Sequence, residues 1–136
     1  MVAVDGSDNS YRALEAGLFL SEKLDGNVTA ICVMENVPVL HIESEKLLSE
    51  LLDSYKRESE LILSKCSEIA ARKGLSLNTK LLQGDPGSVI LDFTEKEKCD
   101  IIIMGSRGMG KFKELVLGSV SSKVLHHSSS PVMVIR

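Results

Sequence analysis

Aromatic side chains are scarce in this sequence. Its 136 residues include two tyrosines, three phenylalanines and no tryptophan, and the formal net charge is −3 at pH 7. Surfaces that bind nucleic acids combine a basic field with aromatic rings or arginine planes that stack on the bases. The sequence offers neither a basic excess nor many rings, so we expect no nucleic-acid partner.

Cysteine is also rare, and its spacing gives no disulfide or zinc motif. Cys32, Cys66 and Cys99 are widely separated, and none of them belongs to a C-x-x-C pair. An odd, dispersed set in apolar surroundings is typical of reduced structural thiols in a cytosolic protein. We therefore expect free thiols and a cytoplasmic location, with a redox role as the less favoured alternative.

Long apolar runs are missing as well. A membrane-spanning helix needs roughly 20 consecutive, mostly apolar residues, and no window of the sequence comes near this without charges. The start, MVAVDGS, has neither the basic segment nor the apolar stretch of an export signal. We expect no export and no membrane partner.

Short apolar runs alternate with amphipathic helical patterns along the chain. The strand-like runs lie at residues 1–5, 28–34, 75–83, 100–104 and 131–136. The helical patterns begin after Ser7, at 43–73, after the turn at 84–87 and at about 119–127. Strands that alternate with helices pair in parallel through right-handed crossovers. The sequence predicts one α/β domain over residues 1–136: a single open five-stranded, mainly parallel sheet with helices on both faces.

Two details of this fold follow from the residue patterns. The run at 75–83 alternates and is predicted near a sheet edge, whereas the continuous apolarity of 100–104 favours a central strand. The first helix is predicted to bury a face at helical spacing, consisting of Ala13, Ala16, Gly17, Leu20 and Leu24.

The carboxyl ends of the strands carry the residues with the most chemical interest. In open α/β sheets, ligands bind at this edge, where the strand order reverses. Asp5, the residues after Met34, Gly84 and Gly105 all follow predicted strands. Topology alone therefore predicts that they converge.

The stretch GSRGMGKFKELVLGS at residues 105–119 comes close to a Walker-type phosphate loop. Gly105, Gly110 and Lys111 fit the pattern G-x-x-x-x-G-K-[ST]. Phe112, however, stands where a hydroxyl should coordinate Mg²⁺. The Walker interpretation therefore fails.

A helix beginning near Gly118 offers a better phosphate site. Ser119 can cap this helix, and the free N–H groups at 119–121 together with the helix dipole would favour an anion. Gly105, Gly108 and Gly118 would let the backbone approach phosphates, and the hydroxyls of Ser119 and Ser121 would add donors. Glycines and serines also build ordinary turns, so a purely structural loop remains the alternative at this point.

The spacing Gly105-x2-Gly108-x9-Gly118-Ser119 resembles the nucleotide-binding signature of universal stress proteins, in the subgroup that binds ATP. The resemblance extends along nearly the whole chain through VAVDGS, QGDPGSVI, DIIIMGSRG, LGSVSSKVL and PVMVIR. Ala3 departs from it, because many members have proline there. The resemblance implies a Rossmann-like fold similar to that of adenine nucleotide alpha hydrolases.

The resemblance also implies a set of site residues. Asp5 would lie near the adenosine, although it could instead cap the first turn, and the backbone of Val33 would meet adenine. Met104 and Gly105 would lie beside the ribose and phosphates, and Gly84 would leave room for the ligand. The phosphates would meet Gly108, Gly118, Ser119 and Ser121, and Val120 belongs to the nucleotide-binding set without a defined role. Arg107 lies inside the signature at a variable position, and we include it without a defined role.

The implied ligand is ATP, AMP or ADP, with Mg²⁺ or Mn²⁺ held by the nucleotide phosphates. Lys111 and Lys113 could neutralise a triphosphate or simply be solvated. The family commonly forms homodimers through its last strand, and the apolar strand 131–136 would otherwise be an exposed edge.

Three functions remain open from the sequence. The first is an ATP-binding, nucleotide-dependent switch or stress-response module whose occupancy is read by a protein partner. The second is a slow ATPase or an ATP-using transferase, because positioned water and Mg²⁺ would permit hydrolysis. The third is an interaction domain without nucleotide. No catalytic triad or metal-ligand cluster is evident, so efficient catalysis is not predicted.

Overall fold

The computed structural model describes residues 1–36, 45–110 and 117–136. Lys111 and Lys113 lie outside these residues. The strands are β1 (Val2–Val4), β2 (Thr29–Met34), β3 (Asn78–Gln83), β4 (Ile102–Gly105) and β5 (Val132–Ile135). The helices are α1 (Asp8–Leu24), α2 (Glu45–Arg72), α3 (Pro86–Lys96) and α4 (Ser119–His127).

The strands form one sheet in the order β3-β2-β1-β4-β5, and all four pairings are parallel. The predicted α/β architecture is therefore confirmed, with β3 at an edge and β4 in the interior. The chain moves outward from β1 through β2 to β3 and then returns to β4 on the other side. This reversal places a crevice at the carboxyl ends of β1 and β4.

Two hydrophobic clusters cover the two faces of the sheet. One joins the strands to α1 and α2, and the other joins them to α3 and α4. Because side chains alternate along a strand, Ala30 and Cys32 belong to the first cluster and Ile31 to the second. The sheet is thus buried on both faces, as its β-branched, nearly continuous apolar strands predict.

β3 begins later than the sequence predicts. Its first residue is Asn78, although the alternation of LSLNTKLLQ begins at Leu75. The amide of Leu75 donates to Ala70 O (3.1 Å) and that of Gly74 to Ala71 O (2.9 Å), and Gly74 has a φ of +69°. These two bonds and the left-handed glycine close the end of α2. The backbone at Leu75 is therefore used by the helix and not by the sheet.

α2 is the longest helix, with 28 residues, and its buried residues lie toward its C-terminal half. Ser59, Leu63, Cys66 and Ala70 are buried, whereas Leu47 and Leu61 are exposed. Charged residues occupy much of the remaining surface of α2. Across the described parts of the chain, no helix combines the length and the apolarity that crossing a membrane would require.

The three cysteines are free, as predicted; Cys32 and Cys66 are buried and Cys99 is half-buried. Burial raises the pKa of Cys32. Burial also raises the pKa of Cys66 to about 11, with a smaller contribution from the nearby Cys32.

Only the thiolate form of cysteine reacts readily with disulfide reagents. We expect Cys32 and Cys66 of the native protein to resist such a reagent near neutral pH and to react after unfolding in urea. The absorbance of the thiol that the reagent releases would measure the rate of reaction. Rapid reaction of all three cysteines in the native protein would contradict the prediction.

Candidate functional site

Asp5 organises the turn between β1 and α1. Its Oδ1 accepts hydrogen bonds from the amide of Ser7 (3.0 Å) and from Ser7 Oγ (2.6 Å). Ser7 in turn caps α1, because its Oγ accepts from the amide of Ser10 (3.2 Å). Gly6 makes this turn with a φ of +87°. The turn-capping geometry that the sequence left as an alternative for Asp5 is therefore present.

The second carboxylate oxygen of Asp5 reaches the glycine-rich loop after β4. Oδ2 accepts from the amide of Met109 at 3.0 Å. A Cβ on Gly108 would collide with this same oxygen. Gly108 is therefore glycine because Asp5 occupies the space that a side chain would need.

Packing within the chain also explains why residue 105 is glycine. A Cβ at this position would lie 2.9 Å from Asn9 Cβ, 3.0 Å from Asn9 C and 3.1 Å from Ser10 N. These atoms belong to the first turn of α1, which packs closely on the end of β4. The glycines at 105 and 108 therefore follow from packing within the chain and give no independent evidence of a ligand.

Gly118 differs from both. Its φ of −74° and ψ of 167° suit any residue, and a Cβ there would meet Arg107 Cα, Ser106 O and Ser121 Oγ at ordinary distances of 3.5 to 3.6 Å. Neither backbone strain nor crowding by the residues that the structure describes requires glycine at position 118. Close approach of a ligand to the backbone would require glycine, and Gly118 lines a cavity of about 860 Å³.

The amino end of α4 lacks a side-chain cap. Gly118 is the N-cap residue, and the structure records no side-chain cap hydrogen bond there. The prediction that Ser119 caps this helix is wrong, because Ser119 is already its first residue. Amide groups of the first helical turn have no partner inside a helix, and the dipole makes this end attractive to anions. No N-cap side chain therefore competes with an anion for the first-turn amides of α4.

The Ser121 hydroxyl holds the turn together from inside. Ser121 is 2% exposed, and its Oγ donates to Ser106 O at 2.9 Å, with Gly118 O at 3.1 Å as a second acceptor. The amide of Gly118 also donates to Ser106 O (2.7 Å). These bonds fix the start of α4 against the end of β4. Of the two predicted hydroxyl donors, Ser119 is the one without such an internal bond.

A cavity of about 860 Å³ opens at the carboxyl edge of the sheet. This volume is within the range of roughly 300–1,000 Å³ that is usual for small-molecule sites. Every predicted site residue except Gly84 lines it, namely Asp5, Val33, Met104, Gly105, Arg107, Gly108, Gly118, Ser119, Val120 and Ser121. The structure therefore brings together residues that the sequence separates by more than a hundred positions.

One part of the cavity is an apolar slot between the sheet and the helices α3 and α4. We call it the base slot and define it by Ala3, Ile31, Val33, Ile90, Met104 and Val120. All six residues belong to the hydrophobic cluster on that face of the sheet or pack against it. The apolar lining of the base slot therefore suits a largely apolar group.

Gly84 lies outside the cavity lining. Its φ is +143°, a Cβ would lie 2.8 Å from Val89 Cγ2, and its amide donates to Met34 O (3.0 Å). The turn into α3 thus accounts for this glycine without any ligand.

The wall contributed by α2 is absent from the predictions. Tyr55, Glu58, Ser59 and Ile62 line the cavity from this helix, and Ile62 lies over the turn at Gly6, within 3.0 Å of where a Cβ would be. A signal was available in the sequence, because Ser59 interrupts the apolar face of α2. A buried polar residue in such a face can mark a ligand site as well as a local hydrogen bond, and Ser59 Oγ donates to Tyr55 O (3.0 Å).

The described charged side chains that line the cavity are mostly acidic. Asp5, Glu35 and Glu58 contribute carboxylates and Arg107 contributes a guanidinium. Within residues 1–36, 45–110 and 117–136, no cluster of three or more His, Cys, Asp or Glu could hold a metal ion. A phosphate group would thus depend on backbone amides, on Arg107 and on any cation that it carries itself.

Comparison with known proteins gives consistent matches along the whole chain. A sequence model of the universal stress protein family matches residues 1–136. A universal stress protein of Methanocaldococcus jannaschii is 33% identical over 139 residues, covering 100% of this chain and 80% of that protein. The universal stress protein YxiE of Bacillus subtilis is 32% identical over 143 residues, covering 100% and 97%.

Solved structures agree on the fold. Universal stress protein UspA from Lactobacillus plantarum superimposes with a TM-score of 0.86 at 27% identity, covering 99% of this chain and 94% of that one. An Arabidopsis thaliana member with AMP bound gives 0.72 at 23% identity, covering 99% and 88%. A universal stress protein in complex with cAMP gives 0.74 at 20% identity, covering 99% and 94%. At the last two identities the likeness shows the fold alone.

Proposed function

Because the chain belongs to the universal stress protein family, we propose that it binds an adenine nucleotide at the carboxyl edge of its sheet. ATP, with AMP or ADP as alternatives, would act as the ligand of a nucleotide-dependent switch in a stress response. The observation that carries this proposal is Gly118. It is the N-cap residue of α4 and makes no side-chain cap hydrogen bond, and no contact among the described residues requires glycine there.

The parts of the cavity suggest how the nucleotide would lie. The phosphates would meet the first turn of α4 and the loop at 105–110, where backbone amides and the helix dipole favour anions. The base would enter the base slot and meet the backbone of Val33. Asp5 would then lie near the sugar, since it follows β1, between the two ends of the site.

A divalent cation would accompany ATP into this site. The described lining contributes three carboxylates and one guanidinium, so a bare triphosphate would add to an acidic environment. Mg²⁺ or Mn²⁺ would be bound by phosphate oxygens, which are the ligands that Mg²⁺ prefers in nucleotide sites. AMP carries less charge and would depend less on the cation.

Nucleotide occupancy could act as a signal only if two states of the protein bind the nucleotide with different affinity. We propose that the second state is an assembly: a cytoplasmic homodimer formed through residues 131–136, or a complex with a protein partner. β5 is the last strand of the sheet, and its apolar residues are only half-buried. Pairing with a second copy would cover this edge.

The adenine specificity in this proposal draws on proteins of the same fold. One structural neighbour contains AMP and another contains cAMP. These ligands share the adenosine part and differ in their phosphates, so the base slot is the common element to test.

The test is to identify and then compare the ligands. Protein purified without added nucleotide is denatured, and mass spectrometry of the supernatant identifies any adenine nucleotide. Stripped protein is then heated with ATP, ADP, AMP or cAMP, each with and without Mg²⁺, and with inorganic phosphate as control. At 100-fold excess over Kd, we expect the midpoint of unfolding to rise by roughly 5–10 °C. No carried nucleotide and no shift with any adenine ligand would contradict the proposal.

A further inference from the structure

A side-chain bridge joins α4 to the start of α3. Lys123 Nζ, on the second turn of α4, donates to Asp85 Oδ1 at 2.5 Å and to Ser88 Oγ at 2.8 Å. Asp85 is the N-cap of α3 and also accepts from the amide of Ser88 (3.0 Å) and from Ser88 Oγ (2.8 Å). One carboxylate oxygen therefore caps α3 and binds α4 at the same time.

Gly87 makes room for this bridge. A Cβ on Gly87 would lie 2.6 Å from Lys123 Cδ and 3.1 Å from Lys123 Cγ. The aliphatic stem of Lys123 thus lies flat across the first turn of α3, and the amine reaches over it to Asp85. The segment Asp85-Pro86-Gly87-Ser88 supplies a cap, a rigid first turn, a space for the stem and a second acceptor.

The lowered pKa of Asp85 is consistent with its contact with Lys123. The hydrogen bond from Lys123 lowers this pKa to about 2, and the hydrogen bonds from Ser88 lower it further. Asp85 and Lys123 are both largely exposed, and an exposed ion pair adds little to global stability. The bridge is therefore better suited to setting a local distance than to stabilising the fold.

The helices that it joins are two walls of the base slot. Pro86 and Ile90 line the cavity from α3, and Ser119 and Val120 line it from α4. Lys123 itself does not line the cavity, and its amine is occupied by Asp85 and Ser88. A change in the bridge would consequently reach the ligand through the spacing of the two helices.

We propose that Lys123 is a positioning residue for nucleotide binding, which holds α3 and α4 at the separation that the base slot requires. This inference rests on the proposed function, since it assumes that an adenine base occupies the slot. The bridge gives a specific purpose to Asp85 and Gly87, which the phosphate signature leaves unexplained.

The experiment compares ATP, with Mg²⁺, and AMP on the full chain by calorimetry. Lys123→Met keeps the stem and removes the amine, and Asp85→Asn keeps a good N-cap and removes the charge. We expect each variant to lose about fivefold in affinity, roughly 1 kcal/mol. The loss should be equal for ATP and AMP, because both place the same base in the slot. Lys123→Arg should retain most of the affinity of the unmodified protein. Lys80→Met, on β3, is the matched control, because it removes the same charge away from the bridge.

The outcomes separate the alternatives. In the double variant, the losses should not add, because both substitutions break one bridge. A loss that is larger for ATP than for AMP would show a direct effect of charge on the phosphates and overturn the positioning role, as would unchanged affinities or additive losses. If the unmodified protein binds neither nucleotide, the proposed function itself fails, and the bridge fails with it as a positioning device.

Discussion

Gly118→Ser is expected to reduce nucleotide affinity by at least about 100-fold, equivalent to roughly 2.7 kcal/mol, while the free energy of unfolding stays the same or rises slightly. Serine is a better N-cap than glycine, by a few tenths of a kcal/mol, and its Cβ fits the space at position 118 without a clash. The new hydroxyl would accept from the first-turn amides of α4. The serine side chain would thus occupy both the amide donors and the space where a phosphate group would bind.

The opposite directions of the two effects make this substitution informative. Urea denaturation measures the free energy of unfolding, and titration calorimetry with ATP and Mg²⁺ measures affinity. Gly26→Ser is a suitable control, because Gly26 lies outside the cavity lining and a Cβ there would make an ordinary contact of 3.9 Å with Ser21 Cα. Retained affinity in Gly118→Ser would mean that this glycine does not face the phosphates. Loss of both affinity and stability would mean that glycine is needed for folding, contrary to the geometry.

Gly108→Ala is expected to destabilise the protein itself by about 1–3 kcal/mol, which is the usual cost of forcing a methyl group into occupied space. The added Cβ would collide with Asp5 Oδ2, and the carboxylate could then no longer accept from Met109. The loop after β4 would move away from the turn at the end of β1. Because both segments line the cavity, nucleotide affinity should fall as well.

A double-mutant cycle isolates this collision. In an Asp5→Ala background the obstructing oxygen is gone, so adding Gly108→Ala should cost close to nothing beyond Asp5→Ala alone. Urea denaturation of the four proteins measures the coupling. An equal cost of Gly108→Ala in both backgrounds would show that the glycine serves another purpose than accommodating Asp5.

The fold could be predicted because several independent sequence signals indicate the same elements. Apolar strands alternate with amphipathic helices, and Ser7, Asp25-Gly26 and Gly74 mark helix ends that the structure confirms. The buried face of α1 was predicted less well. Leu24 is 75% exposed, whereas Leu14 and Leu18, which the predicted face omitted, are fully buried. α1 crosses β1 and β4 and continues past the edge of its cluster, so helical spacing alone could not show where burial ends.

The sequence also predicted the candidate site only in part. The residues that the resemblance implies, apart from Gly84, line one cavity, but the resemblance does not distinguish the structural reasons for the individual glycines. Only the packed structure shows that Gly105 accommodates α1 and that Gly108 accommodates Asp5. These contacts join segments that are distant in sequence. The α2 wall was missed for the same reason, because Tyr55 and Glu58 gain their importance from the tertiary position of that helix.

Calorimetric titration is the measurement that decides whether the cavity holds an adenine nucleotide against the first turn of α4. Purified protein, stripped of any carried nucleotide, is titrated with ATP in the presence of Mg²⁺. We expect saturable binding of one nucleotide per chain with a micromolar Kd. Absence of heat at several temperatures, with the protein shown to be folded, would contradict it and favour an interaction domain that works without nucleotide.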